Sequence, residues 1–193
     1  MSLIKKSIVK LIEGNPLDHM NLLHAAIFSC EFTDYLIAKH SHPPKTILCG
    51  PSCPHCCEQA IPTITVPEAL YIHQYSVENK IEPEEYRNGC CPFLNGKGSC
   101  SIHQARPVRC RGWNSSDLEF CKNPPAEFDV KNCTVHYPQF QAARKVHLAL
   151  ISALEACGYI DTLIPIDEAF RDNWGVPATI LIEGLNMAMA EMA

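Results

Sequence analysis

The sequence predicts a mainly α-helical fold in which a helical body, built from both ends of the chain, surrounds an irregular, loop-rich core of cysteines. Three observations carry this. Apolar residues recur near the helical period over the first forty residues and again beyond Pro138. Ten of the twelve cysteines fall between Cys49 and Cys133. The stretch from Cys90 to Pro125 is rich in Gly, Pro, Asn, Ser and Cys and has little periodicity. With 193 residues the chain is long enough for one domain with a full hydrophobic core. The expected organisation is a single domain, 1–193, with N-terminal helices in 1–42, the cysteine core in 45–133 and C-terminal helices in 137–193.

The elements follow in order. Met1 to Ile12 reads as an amphipathic first helix, because Lys10 interrupts its apolar run and no small-residue cleavage site follows. Without an export signal a cytoplasmic protein is expected. No apolar run approaches the roughly 20 residues that span a bilayer, so no membrane segment is expected. After Gly14-Asn15-Pro16, the residues Leu22, Leu23, Ala26, Ile27, Cys30 and Ile37 mark a second helix that ends before His42-Pro43-Pro44. Cys30 lies on its apolar stripe and reads as a small core residue. Thr65-Val66-Pro67-Glu68 is a capping box with proline in the first turn, opening a helix through His73 and Val77. Glu82-Pro83-Glu84-Glu85 reads as a solvated acidic connection. Phe140, Ala143, Val146, His147, Leu150, Ile151 and Leu154 make a strong helix that stops at Gly158, with Cys157 at its end and in the core. A last helix is expected from about Pro177 to Met192, after breaks at Pro165 and Trp174-Gly175.

Charge and compartment then direct the reading of the cysteines. A net charge of −5 argues against a nucleic-acid surface. In a reducing cytosol unconstrained thiols stay reduced, so metal ligation leads and disulfides come second. The thiols form two dense runs, Cys49 to Cys57 and Cys90 to Cys100 leading to Cys110. Thiolates hold zinc in tetrahedral sets of four, and Cys53 and Cys56 have the spacing of a chelating turn. Neighbours such as Cys56 and Cys57, or Cys90 and Cys91, are expected to project apart, so either one of each pair is a bystander or more than one metal is held. Arg106, Arg109 and Arg111 flank Cys110, where they either offset thiolate charge or pair with acidic residues at the surface. His55 is expected to point to solvent and His73 and His147 to pack within helices; none is expected to ligate. Gly96 and Gly98 allow the tight loop before Cys100 and are not a phosphate cradle. Trp113 reads as packing.

Cys53-Pro-His-Cys56 matches a disulfide-oxidoreductase tetrapeptide, but no strand leads into it and Pro62 follows too soon for the long helix such a site opens. Cys49-x-x-x-Cys53-x-x-Cys56 has the ligand spacing of radical enzymes, but the strand-helix barrel of that fold is missing and the second run would be unexplained. Spacing alone does not separate zinc from iron.

The ordered set Cys49-x-x-x-Cys53-x-x-Cys56-Cys57, Cys91-Pro-Phe-Leu, Cys100-Ser-Ile-His, Arg106-Pro107 and Cys110-Arg111 resembles the YkgJ-type cysteine-cluster family of zinc- or iron-chelating domains. The resemblance spans about Cys49 to Cys121. It implies that Cys49, Cys53, Cys56, Cys57, Cys91, Cys100 and Cys110 are the metal-chelating cysteines. His103 stands where relatives often carry an aromatic residue, Cys90 is extra, and Cys121 and Cys133 lie outside the best-matched part, where they either complete a second site or are buried. The expectation is a protein that binds zinc, or alternatively iron, in a structural or metal-handling role. An iron–sulfur enzyme doing redox or group-transfer chemistry is the alternative. No general base or nucleophile stands apart from the cysteines, which favours the non-enzymatic reading.

Overall fold

The structure, a computed structural model, describes residues 2–13, 18–41, 47, 49–50, 52–84, 89–123, 135–159 and 163–170. The helical body is three helices: α1 (Leu3–Ile12), α2 (His19–Leu36) and α7 (Tyr137–Ala156), each packed on the other two. Ser2 and Asp18 accept the free N–H groups of the first turns of α1 and α2. A π-helical turn, Ile37–Ser41, prolongs α2 up to the edge of the His42-Pro43-Pro44 stop. Ile8, Val9 and Ile12 of α1 meet Leu22 and Ala25 of α2 and Leu150, Ala153 and Leu154 of α7 in one core. The lysines of α1 stay at the rim, where Lys5 Nζ donates to Ser152 Oγ at 2.7 Å.

The expected stop of α7 is present. Gly158 takes φ +91°, and the Tyr159 N–H reaches back to the Leu154 carbonyl at 3.1 Å, the turn that a left-handed glycine permits. Cys157 is half-buried against the core rather than within it, because it sits in the turn itself, after the last full helical residue.

A second layer was not expected. β1 (Thr63–Thr65) pairs antiparallel with β2 (Leu163–Pro165), Thr63 opposite Pro165 and Thr65 opposite Leu163. Pro165, read as a chain break, is the last residue of β2, and Ile166 N–H donates to the Pro62 carbonyl at 2.9 Å directly after it. Strands this short carry no readable alternation. β1 leads into α4 (Val66–Asn79), where the capping box forms as expected; β2 leads into the short α8 (Ile166–Phe170). Ile64, Ala69, Ile72, Ile102, Ile166 and Phe170 gather around the fully buried Phe93, whose ring meets Phe170 edge-on at 5.1 Å.

The stretch from Cys90 is irregular as expected but holds two short helices, α5 (Val108–Gly112) and α6 (Leu118–Lys122). Val108 joins Cys30, Ala143 and Val146 in a third cluster that fixes α5 between α2 and α7. Cys30 is 1% exposed, a core residue as expected. The helix expected at Pro177 to Met192 lies outside the described residues, as does Cys133. Among the described residues no helix is long and apolar enough to cross a membrane.

Candidate metal centre

The first cysteine run turns tightly into a one-turn helix, α3 (His55–Gln59). Cys53 N–H donates to the Gly50 carbonyl at 3.1 Å, and Cys57 N–H to the Pro54 carbonyl at 2.8 Å, so Cys53 lies on the turn before α3 and Cys56 and Cys57 lie on α3 itself. The second run is tied directly to this helix. Cys91 N–H donates to the Cys57 carbonyl at 2.8 Å, and Ser99 Oγ meets Ser52 Oγ at 3.4 Å. Asn95 Oδ1 accepts the Lys97 and Ser99 amides at 3.0 Å each, curling the loop so that Leu94 bridges to Cys100. At its tip Gly98 takes φ +74°, and a Cβ at this position would lie 3.8 Å from the ring of Pro54 in the first run. The glycine is needed there because a side chain would be strained at that φ. The acidic connection also takes part: Glu84 N–H donates to the Pro92 carbonyl at 2.7 Å.

Cys110 comes from α5, and a buried carboxylate places it. Glu68 Oε2 accepts the Thr65 N–H and hydroxyl at 2.8 Å each, as a capping box requires, while Oε1 accepts the Val108 N–H at 2.8 Å and so fixes the start of α5. One side chain, 1% exposed, therefore caps α4 and anchors the helix that carries Cys110. Cys110 then lies within electrostatic range of Cys56, Cys57 and Cys100. Cys57, Cys91 and Cys100 border the apolar cluster around Phe93, which supplies a dry floor for the sulfurs.

Cys56 and Cys57 do not diverge as expected, since their Sγ atoms stand 4.0 Å apart. The edge of a tetrahedron with metal–sulfur bonds of about 2.3 Å is about 3.8 Å, so this pair has the spacing of two thiolates on one ion. Cys57 also hydrogen-bonds Cys91. Cys49 Sγ accepts the Ser115 N–H at 3.0 Å. Among the described residues no group of three or more Cys, His, Asp or Glu side chains is placed to hold a metal ion. Cys90 turns away, toward the Glu58 carbonyl at 3.7 Å. None of the described cysteines is in a disulfide.

Burial and the neighbouring sulfurs set the acidities of these thiols. The hydrogen bond with Cys57, then burial, pushes the Cys56 thiol far up. Burial and then the neighbouring sulfurs do the same to Cys110. The bond with Cys56 lowers the Cys57 thiol, but its bond with Cys91 and its burial prevail and carry it to about 12. Burial takes Cys49 to about 11 against the help of the Ser115 amide. Thiols packed this closely ionise together only around a cation, and soft thiolate donors suit zinc or iron.

The three arginines divide. Arg111 is buried, donates to the Gln104 and Arg106 carbonyls, pairs with Asp34 and lies against the core thiol of Cys30. Arg109 is exposed and donates to Thr63 Oγ1 at 2.7 Å. Arg106 alone lies within electrostatic range of both Cys100 and Cys110, with His103 against its guanidinium. His55 leans on Glu58 at 3.3 Å. Trp113 meets Phe140 edge-on but remains 38% exposed.

The comparisons with known proteins match this picture over the sulfur-bearing segment. The CxxCxxCC family model, described as "Putative zinc- or iron-chelating domain", matches residues 48–137. That range includes all seven expected ligands and takes in Cys121 and Cys133 besides. No curated protein and no solved structure matches the chain. Over residues 48–137 the chain is thus similar to the zinc- or iron-chelating domains of the CxxCxxCC family.

Proposed function

We propose that the protein binds zinc through thiolates of Cys49, Cys53, Cys56, Cys57, Cys91, Cys100 and Cys110, in a structural or metal-handling role rather than a catalytic one. The observation that supports this best is the hydrogen bond from Cys91 N–H to the Cys57 carbonyl at 2.8 Å, which holds the two cysteine runs against each other. When bound, the metal supplies the positive charge that lets close-packed thiols ionise, and so joins loops that few backbone bonds hold. The protein's own part is to present the sulfurs on one dry floor, with Arg106 offsetting the negative charge of a thiolate-rich shell. A cytoplasmic location suits thiols that must remain reduced.

Anaerobic purification followed by elemental analysis tests this. Colourless protein carrying stoichiometric zinc is expected; brown protein that bleaches on reduction would assign iron instead. C53S and C100S should lose metal while C30S keeps it, and equal metal content in all three would overturn the ligand assignment.

A further inference from the structure

The two cysteine runs meet at one pair of thiols. Cys91 N–H donates to the Cys57 carbonyl at 2.8 Å, and the thiols of the two residues are hydrogen-bonded to each other. A backbone bond of that length sets the two Cα atoms about 5–6 Å apart, inside the window of about 4.4–6.8 Å that a disulfide spans. Both side chains also project to the same side: Cys91, 5% exposed, belongs to the cluster around Phe93, and Cys57 packs against that cluster. The other close pair does not qualify. Cys56 Sγ stands 4.0 Å from Cys57 Sγ, but the two are consecutive on α3, and a trans peptide holds neighbouring Cα atoms about 3.8 Å apart, short of that window. Cys90 points elsewhere, to the Glu58 carbonyl at 3.7 Å. Access to solvent orders the pair as well, since Cys57 is half-buried and Cys91 buried.

We infer that Cys57 and Cys91 are a redox pair whose reversible disulfide switches the site off. The oxidant is a small-molecule disulfide such as oxidised glutathione. Cys57, the more open thiol, attacks one of its sulfurs as the thiolate; a mixed disulfide of Cys57 with glutathione forms and one glutathione leaves. Cys91 then attacks the Cys57 sulfur, the Cys57–Cys91 bond closes and the second glutathione leaves. The two cysteines give up two electrons, and their thiol protons pass to the departing sulfurs, so the oxidant becomes two reduced glutathione thiols. That this bond governs metal loading rests on the metal-binding reading above, because it removes two of the proposed ligands; the bond itself rests only on the contact between the runs.

The test uses the full chain, stripped of metal by a chelator without air and equilibrated with glutathione buffers of rising oxidised-to-reduced ratio. Alkylation of the remaining thiols and peptide mapping identify the first disulfide, zinc titration against a chromophoric chelator measures uptake before and after, and far-UV circular dichroism records whether the helices persist. The first bond should join Cys57 to Cys91, zinc affinity should fall about tenfold or more with it, and dithiothreitol should reverse both. C90S should behave as wild type. The map is made on the wild type, so the result does not depend on a variant's folding. A first disulfide between any other pair, or none over the whole range, would overturn the redox pair. A Cys57–Cys91 bond that leaves zinc uptake unchanged would overturn the switch and leave the metal-binding reading standing. A reduced chain that binds neither zinc nor iron would remove that reading and the switch with it, while the mapped bond would remain.

Discussion

At the scale of single residues, Glu68 carries more of the architecture than any cysteine. Its carboxylate accepts from Thr65, three residues before it, and from Val108, 40 residues after it, with almost no exposure to water. Glu68→Ala leaves those buried donors unpaired and should destabilise the protein by about 1–3 kcal/mol for each lost partner. Glu68→Gln keeps one acceptor oxygen and should lose less; thermal melts of the two variants under reducing conditions give the ranking. His147 gives the pH dependence. It is 7% exposed, burial lowers its pKa, and Glu68 and Arg109 act on it in opposite senses. The folded chain therefore holds the neutral imidazole, whereas the unfolded chain takes up a proton near pH 6.5. The unfolded state binds the extra proton, so stability falls as the pH drops below about 6.5. His147→Gln should flatten the acid side of the stability profile relative to wild type, measured by urea unfolding between about pH 5 and 7.

Among the elements, α5 is the one with least room. A methyl group on Gly112 would run into the side chain of Ala143, so α5 and α7 approach as closely as they do only because position 112 has no side chain. Gly112→Ala should cost about 1–3 kcal/mol through overpacking. Gly96→Ala, where nothing lies within 4 Å, should change the melting temperature little and serves as the control. These elements also mark how far the sequence could be read. The helices α1, α2, α4 and α7 announced themselves through caps, stops and apolar stripes that each contains within its own residues. The short α5 and α6 did not, because five residues hold barely one periodic contact, and what fixes α5 is an acceptor on Glu68 in another element. The paired strands β1 and β2 were hidden for the same reason, their partners lying about a hundred residues apart. The two cysteine runs were plain in the sequence. Their contact at Cys57 and Cys91 and the closeness of Cys56 to Cys57 depend on folding and were not.

For the molecule as a whole, a helical body with its own core carries a sulfur-bearing segment held by turns, caps and one buried carboxylate. The two should respond differently to metal removal. Chelation should abolish the order of the cysteine loops while α1, α2 and α7 keep their helicity, a loss that hydrogen exchange would localise to 49–123. Because raised thiols must shed protons to ligate, zinc affinity should also rise with pH, and proton release on loading should be measurable in buffers of different ionisation enthalpy. The most direct test is X-ray absorption at the metal edge on protein purified without air. Four sulfur neighbours at about 2.3 Å are expected for zinc held by this domain. A first shell of nitrogen and oxygen, or protein free of metal whose mass shows its cysteines joined in disulfides, would contradict the account.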